Sequence, residues 1–257
     1  QRFEDCKDTQ NSGKPVLGDG AITRNNDTAV EPVTLAEEKD LLLVELSSFL
    51  FHAQYKALKN TLDHIGPEGV TKIDVNISLP ITQGYGGGAL LDVGYYPIVM
   101  MEDLFNLPDK LARDVYGSHE TLLDEGGSAS LTYGPTVCEL SWRYDINKTD
   151  QVMISHLDGE IGVMKAFIKD QFTATHIAST IPMMSGQDIS ADDEWPRMLE
   201  HYASRLNSEP SKKNQRRHIL ARTQIRHQII AEFKEDMLRR QRVMNNERKS
   251  EQQEPLI

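Results

Sequence analysis

Cysteine is nearly absent: two of 257 residues, Cys6 and Cys138. Two thiols cannot build a disulfide framework. Cys6 sits in a polar stretch and Cys138 in a strand pattern, so both read as reduced thiols in a reducing compartment or a virion. Long apolar runs are missing too. The most apolar stretch, 41–51, carries Glu45 and is far short of the ~20 residues that span a bilayer. The sequence contains no HExxH, no CxxC, no GxSxG and no Gly-Lys-Ser/Thr. Zincin, zinc-ribbon, α/β-hydrolase and P-loop chemistry therefore have no local signature. His52 and His64, or His218 and His227, lack further ligands at metal spacing. No cofactor, metal or catalytic residue is expected on these grounds.

Positive charge is scarce except in one place. The chain holds 28 Lys/Arg against 39 Asp/Glu, a net charge of −11. Residues 211–249 reverse this balance, with twelve basic and four acidic residues and neither Pro nor Gly. An acidic body thus ends in a basic helical arm. Ile225, Ile229, Phe233 and Met237 recur every four residues along it, forming an apolar stripe between charged faces. Arg216, Arg217, Arg222, Arg226, Arg239 and Arg240 flank the stripe. Three roles compete for this helix. It can pack on its own domain, clasp a neighbouring subunit through stripe and arginines, or bind nucleic acid through the arginines.

The 39% apolar fraction is below the usual ~45–50%. Residues 1–33 are polar and read as an extended arm. A capping box at Thr34–Glu37 predicts a helix over 34–65, buried in its first half and stopped by Gly66-Pro67. Residues 70–81 alternate strictly, with Ile73, Val75, Ile77, Leu79 and Ile81 on one face, which predicts a half-buried strand. Gly84–Gly88 follows, read as a hairpin loop in preference to a phosphate cradle, and 89–101 reads as another strand. A short helix is placed in 103–116. Strands follow at 128–133, 138–146 and 151–157, the last two as a hairpin around 147–150. Helix is favoured over 160–171, with strand after it to 181. A short helix is placed at 192–206, inside a linker-like stretch, 182–210.

The expected architecture is therefore α+β: a core domain at 34–181, in which a long N-terminal helix (34–65) packs on an antiparallel, sandwich-like sheet (70–181), with a linker at 182–210 and a basic helical arm and tail at 211–257. The expected function is non-enzymatic: a structural or assembly subunit of a larger complex, such as a capsid or virion component or an accessory subunit. Its partners would be other protein subunits in a homo-oligomer or large assembly, with no membrane span. Two alternatives remain: a nucleic-acid-binding protein using 211–249, and a hydrolase whose carboxylate/His site has no local motif.

Overall fold

The computed structural model describes residues 2–23, 26–80, 87–118, 120–167, 175–181, 187–189 and 194–251. Among the described residues, the N-terminal stretch expected as an extended arm is folded. Helix α1 (Arg2–Asn11), strand β1 (Val16–Asp19), helix α2 (Asn26–Glu38) and strand β2 (Leu43–Leu46) form a β-α-β unit preceded by a helix. Strands β1 and β2 pair in parallel, Val16 opposite Leu43 and Asp19 opposite Leu46. Cys6, Ile22, Val33, Ala36 and Leu43 close a small core there with Ile219.

The helix expected over 34–65 is thus two helices separated by a strand. Asp40, at φ 53°, turns the chain out of α2. All four residues of β2 are buried, so the run shows no alternation. A strand buried on both faces and a buried helix look alike in sequence. A 3-10 turn (Ser48–Phe51) then leads into α3 (Ala53–Ile65).

The main sheet contains β3 (Val70–Leu79), β4 (Lys110–Ser118), β5 (Leu123–Tyr133), β6 (Thr136–Tyr144), β7 (Thr149–His156), β8 (Gly159–Met164), β9 (Thr175–Ser179) and β10 (Gln187–Ile189). Their spatial order is β10-β9-β8-β7-β3-β6-β5-β4. All neighbours are antiparallel except β3 and β6, which are parallel. The expected 138–146/151–157 hairpin is corrected here, because β3 lies between those two strands. Val75 faces Leu140 on one side and Val152 on the other.

This is one mixed sheet covered by helices, which overturns the antiparallel sandwich. Inward residues such as Ile73, Val75, Ile77, Leu140, Trp142, Val152 and Ile154 are buried against α3, against α5 (Tyr95–Phe105) and against α7 (Glu209–Glu251). Helix α4 (Ala89–Asp92) and α5 occupy the stretch read as a strand. Pro97 through Glu102 are buried without a break, and a helix buried all round has no amphipathic period. Strands β4 and β8 stand where helices were placed. Asn106, at φ 66°, ends α5 before β4 begins.

Helix α6 (Glu194–Ala203) packs Met198 and Tyr202 against Phe51 and Leu46. The first two residues of the helix placed at 192–206 lie outside the described residues. Helix α7 runs past α2, β2, α5 and β4 and so ties the small sheet to the large one. Ile225, Ile229, Phe233 and Met237 are all within the main core, each contributing about 1.5–3 kcal/mol by burial.

Candidate active site

Both parallel strand pairs end at the same place. The carboxyl ends of β1 (Asp19, followed by Gly20), β2 (Leu46, followed by Ser47 and Ser48), β3 (Leu79, followed by Pro80) and β6 (Tyr144) border one cleft of about 290 Å³. Leu91, Asp92, Val93, Tyr95 and Tyr96, at the α4–α5 junction, form another wall, and Arg2 and Lys148 complete the lining. Crevices at the carboxyl ends of parallel strands are where open α/β sheets bind ligands, because the loops there are free to vary.

The polar wall is built around Asp92. Tyr144 Oη donates to Asp92 Oδ2 at 2.6 Å. Burial, then this hydrogen bond and the Asp92 charge, push the Tyr144 phenol well above its ordinary pKa. Tyr144 therefore keeps its proton and offers the cleft an acceptor oxygen. Tyr96 packs against Tyr95 with ring centroids 5.9 Å apart and against Phe49 and Phe167. Tyr95 commits its hydroxyl within the chain, donating to the Leu46 carbonyl at 3.2 Å and lying 2.8 Å from Ser47 Oγ. It serves as a fixed wall.

Behind the cleft runs a buried ionic seam. Arg226 Nη2 donates to Thr223 Oγ1 (2.7 Å), Glu45 Oε1 (3.3 Å) and the Thr23 carbonyl (3.5 Å). Its guanidinium carbon lies 5.8 Å from the Tyr95 ring centroid. Glu45 Oε1 also accepts the Ile22 N–H at 2.9 Å. Arg222 donates to Glu102 Oε2 at 3.0 Å, and His218 Nδ1 lies 2.6 Å from Glu102 Oε1. Burial pushes the Glu102 carboxyl up, but the His218 hydrogen bond and the Arg222 guanidinium outweigh it and hold it below the ordinary range.

None of the residues singled out on the C-terminal helix lies on the cleft. Ile225, Ile229, Phe233 and Met237 face the chain's own core. Arg222 and Arg226 are buried in the seam, and Arg216 pairs with Glu209 at 3.1 Å. Arg217, Arg239 and Arg240 are exposed, with Arg240 bonded to Asp236 at 2.7 Å. The charge asymmetry thus resolves into intramolecular pairing, Lys212–Asp40 at 2.7 Å included.

The glycine-rich segment is also explained in part. Residues 84–86 lie outside the described residues, but Gly88 does not. A Cβ on Gly88 would come 2.1 Å from Asp124 Oδ1, while Asp124 Oδ2 accepts the Leu90 N–H at 2.6 Å. A carboxylate of the chain already occupies the position a phosphate would need. Of the adjacent carboxylates at 102 and 103, Glu102 serves the seam and Asp103 accepts from Tyr55 and Lys59. Among the described residues no cluster of three or more His, Cys, Asp or Glu could hold a metal ion. No described helix is long and apolar enough to cross a membrane.

Comparison with known proteins gives a consistent direction. No family model matches the chain. A dTDP-3,4-didehydro-2,6-dideoxy-α-D-glucose 3-reductase of Actinomadura kijaniata is 34% identical over 95 residues, covering 34% of this chain and 29% of the reductase. An enzyme of the same name from Streptomyces violaceoruber is 28% identical over 130 residues, 47% of this chain and 38% of that protein. The matches thus span well under half of those relatives. Among solved structures, a 3-ketoreductase from A. kijaniata with NADP and TDP-benzene superimposes with a TM-score of 0.77 at 20% identity, over 90% of this chain and 74% of that one. A UDP-N-acetylglucosamine 3-dehydrogenase from Acidithiobacillus ferrooxidans gives 0.66 at 16% identity, over 90% and 76%. The chain has the fold of these sugar oxidoreductases.

These likenesses overturn the expectation of a non-enzymatic capsid, virion or accessory subunit with protein partners. The relatives are oxidoreductases acting on sugars. The two arms on which that expectation rested are a β-α-β unit with its leading helix and a core helix.

Proposed function

We propose that the chain forms the substrate-binding part of an NADP-dependent oxidoreductase that reduces a ketone on a nucleotide-linked sugar. The observation that carries this reading is the cleft where two parallel strand pairs end, walled by Asp92, Tyr144 and Tyr96. The relatives supply the chemistry to test: they are reductases of dTDP-linked keto sugars.

The end of β1 fits the reacting end of a dinucleotide. Gly20, at φ 75°, leaves the strand end without a side chain, and a Cβ there would come 3.4 Å from Arg2 Nη1. Asp19, Gly20 and Ser47 would hold that end. NADP, when bound, supplies or takes the hydride.

The chain's own groups then have distinct tasks. The aromatic wall of Tyr95 and Tyr96 excludes water and presents a flat face to a sugar ring. Asp92 holds the Tyr144 phenol in one orientation, so its oxygen can accept from a substrate hydroxyl. Tyr96, on the cleft wall, would give its proton to the carbonyl oxygen as that oxygen gains charge.

The test is NADPH consumption with dTDP-3,4-didehydro-2,6-dideoxy-α-D-glucose, in the wild type and in Tyr96→Phe. Removal of a positioned acid lowers kcat by about 10²–10⁴-fold with little change in KM. Wild-type protein that neither consumes NADPH nor binds the sugar nucleotide would overturn the proposal, as would a Tyr96→Phe variant with full kcat.

A further inference from the structure

The turn between β6 and β7 is held more firmly than an exposed turn requires. Ser78, fully buried on β3, donates its hydroxyl proton to the Asn147 carbonyl at 2.8 Å and accepts the Thr149 N–H at 3.0 Å. One hydroxyl thereby grips both neighbours of Lys148. Asp145 Oδ1 accepts the Asn147 N–H at 2.9 Å, and the Asp145 N–H donates to the Leu79 carbonyl at 2.8 Å. Asp145 is itself fixed by Arg143 at 3.1 Å. The turn is bolted to the ends of β3 and β6, at the rim of the cleft.

What it presents is unusual for a turn in an acidic chain. Lys148 lines the cleft and makes no ion pair among the described residues, in a protein of net charge −11. The other cation on the cleft, Arg2, is engaged within the chain. Of the cleft's two carboxylates, Asp92 is committed to Tyr144. Ile146, on the same turn, is 87% exposed, the most exposed large apolar side chain among the described residues. An exposed lysine on a fixed backbone turn, with an exposed isoleucine two residues before it, suits a ligand with an anionic group next to an apolar one.

We infer that Lys148 is the specificity-determining residue that anchors the phosphate or diphosphate of the substrate, with Ile146 packing against the adjoining nucleoside. This rests on the reading of the cleft as a nucleotide-sugar site. A lysine ammonium recognises phosphate as a point charge, and holding its backbone in place lowers the ordering cost of binding.

Calorimetric titration of the protein with thymidine diphosphate, thymidine and inorganic pyrophosphate tests the assignment, using Lys148→Ala, Lys148→Arg and, as a control, Lys213→Ala on the exposed side of α7. Lys148→Ala weakens thymidine diphosphate binding by about 10- to 100-fold, the range for a hydrogen bond to a charged group. It leaves thymidine binding unchanged and flattens the salt dependence. Lys148→Arg restores most of the affinity, and Lys213→Ala matches wild type. In turnover, Lys148→Ala raises KM for the dTDP-linked ketone and leaves kcat in place. If wild type binds thymidine diphosphate and Lys148→Ala binds it equally well, the assignment is overturned and the nucleotide-sugar reading stands. If wild type binds none of the three ligands and turns nothing over, both fail together. Circular dichroism on each variant separates loss of binding from loss of fold.

Discussion

In an Arg226→Met variant, the Glu45 carboxylate loses its cation while remaining sealed from water. Both side chains are buried in the wild type, at 1% and 0% exposure. Among the described residues one donor stays with the Glu45 carboxylate, the Ile22 N–H, and Arg222 stays within electrostatic reach, which places the cost at the lower end of the range that follows. Removing one partner of a buried pair costs about 3–5 kcal/mol, because the remaining charge is left uncompensated. Methionine retains much of the apolar stem, so the loss reports charge rather than volume. For a chain of this size the shift corresponds to about 6–20 °C in Tm. The assay is urea unfolding, with the midpoint falling and the slope m unchanged. The double variant Glu45→Gln/Arg226→Met is the decisive arm. Glutamine keeps an acceptor for the Ile22 N–H and removes the buried charge, so the double variant is more stable than Arg226→Met alone. A cost under about 1 kcal/mol for Arg226→Met, or strict additivity of the two changes, would refute the reasoning. The seam also has a bearing on the cleft. Arg226 touches β2 through Glu45, the segment after β1 through Thr23, and α5 through Tyr95, so all three walls lose their common support.

Two further outcomes follow from the packing. Burial raises the Asp124 carboxyl from 3.8 to about 6, so the folded state binds more proton than the unfolded chain between those values. Stability therefore falls as pH rises from about 4 to 6, by about 3 kcal/mol for a shift of this size; Asp124→Asn removes that slope, and identical pH profiles of the urea midpoint in the two proteins would contradict it. At Gly117, beside the β4–β5 register shift, a Cβ would come 2.2 Å from the Leu123 carbonyl oxygen. Gly117→Ala forces the backbone apart and costs about 1–3 kcal/mol, whereas a midpoint equal to wild type would show that the bulge relaxes freely.

The strands that could be read in the sequence are those with one wet face. In β3, Ile73, Val75 and Ile77 alternate with Lys72, Asp74 and Asn76, and β6 repeats this with Cys138, Leu140 and Trp142. Where both sides are covered the signal vanishes. Leu43–Leu46 and Tyr95–Phe105 are comparably apolar, yet one is a strand and the other a helix. Strand order was beyond local pattern as well: nothing between 138 and 157 signals that β3 will separate β6 from β7. The cleft was illegible for a related reason. Asp19, Ser47, the Asp92/Tyr96 pair and the Tyr144/Lys148 pair come from four separate segments, and neither pair has a diagnostic spacing. The one available signal was the glycine run, which led to a phosphate question and stopped short of the Ala89–Tyr96 stretch directly after it. The basic helix misled because charge shows in sequence while its neutralisation by Glu102, Glu45 and Asp40 does not.

The seat of β3 between β6 and β7 also sets an order on folding. Val75 needs both Leu140 and Val152, so the centre of the sheet cannot zip until the chain has been made 77 residues beyond it. At about 5–20 residues per second of synthesis, that is a wait of roughly 4–15 s before a strand bearing Ile73, Val75 and Ile77 has both neighbours. Sheets dominated by such distant pairings close slowly and expose sticky edges meanwhile. The nascent chain is most vulnerable at its middle, and chaperone dependence would be set by the delay between β3 and β7.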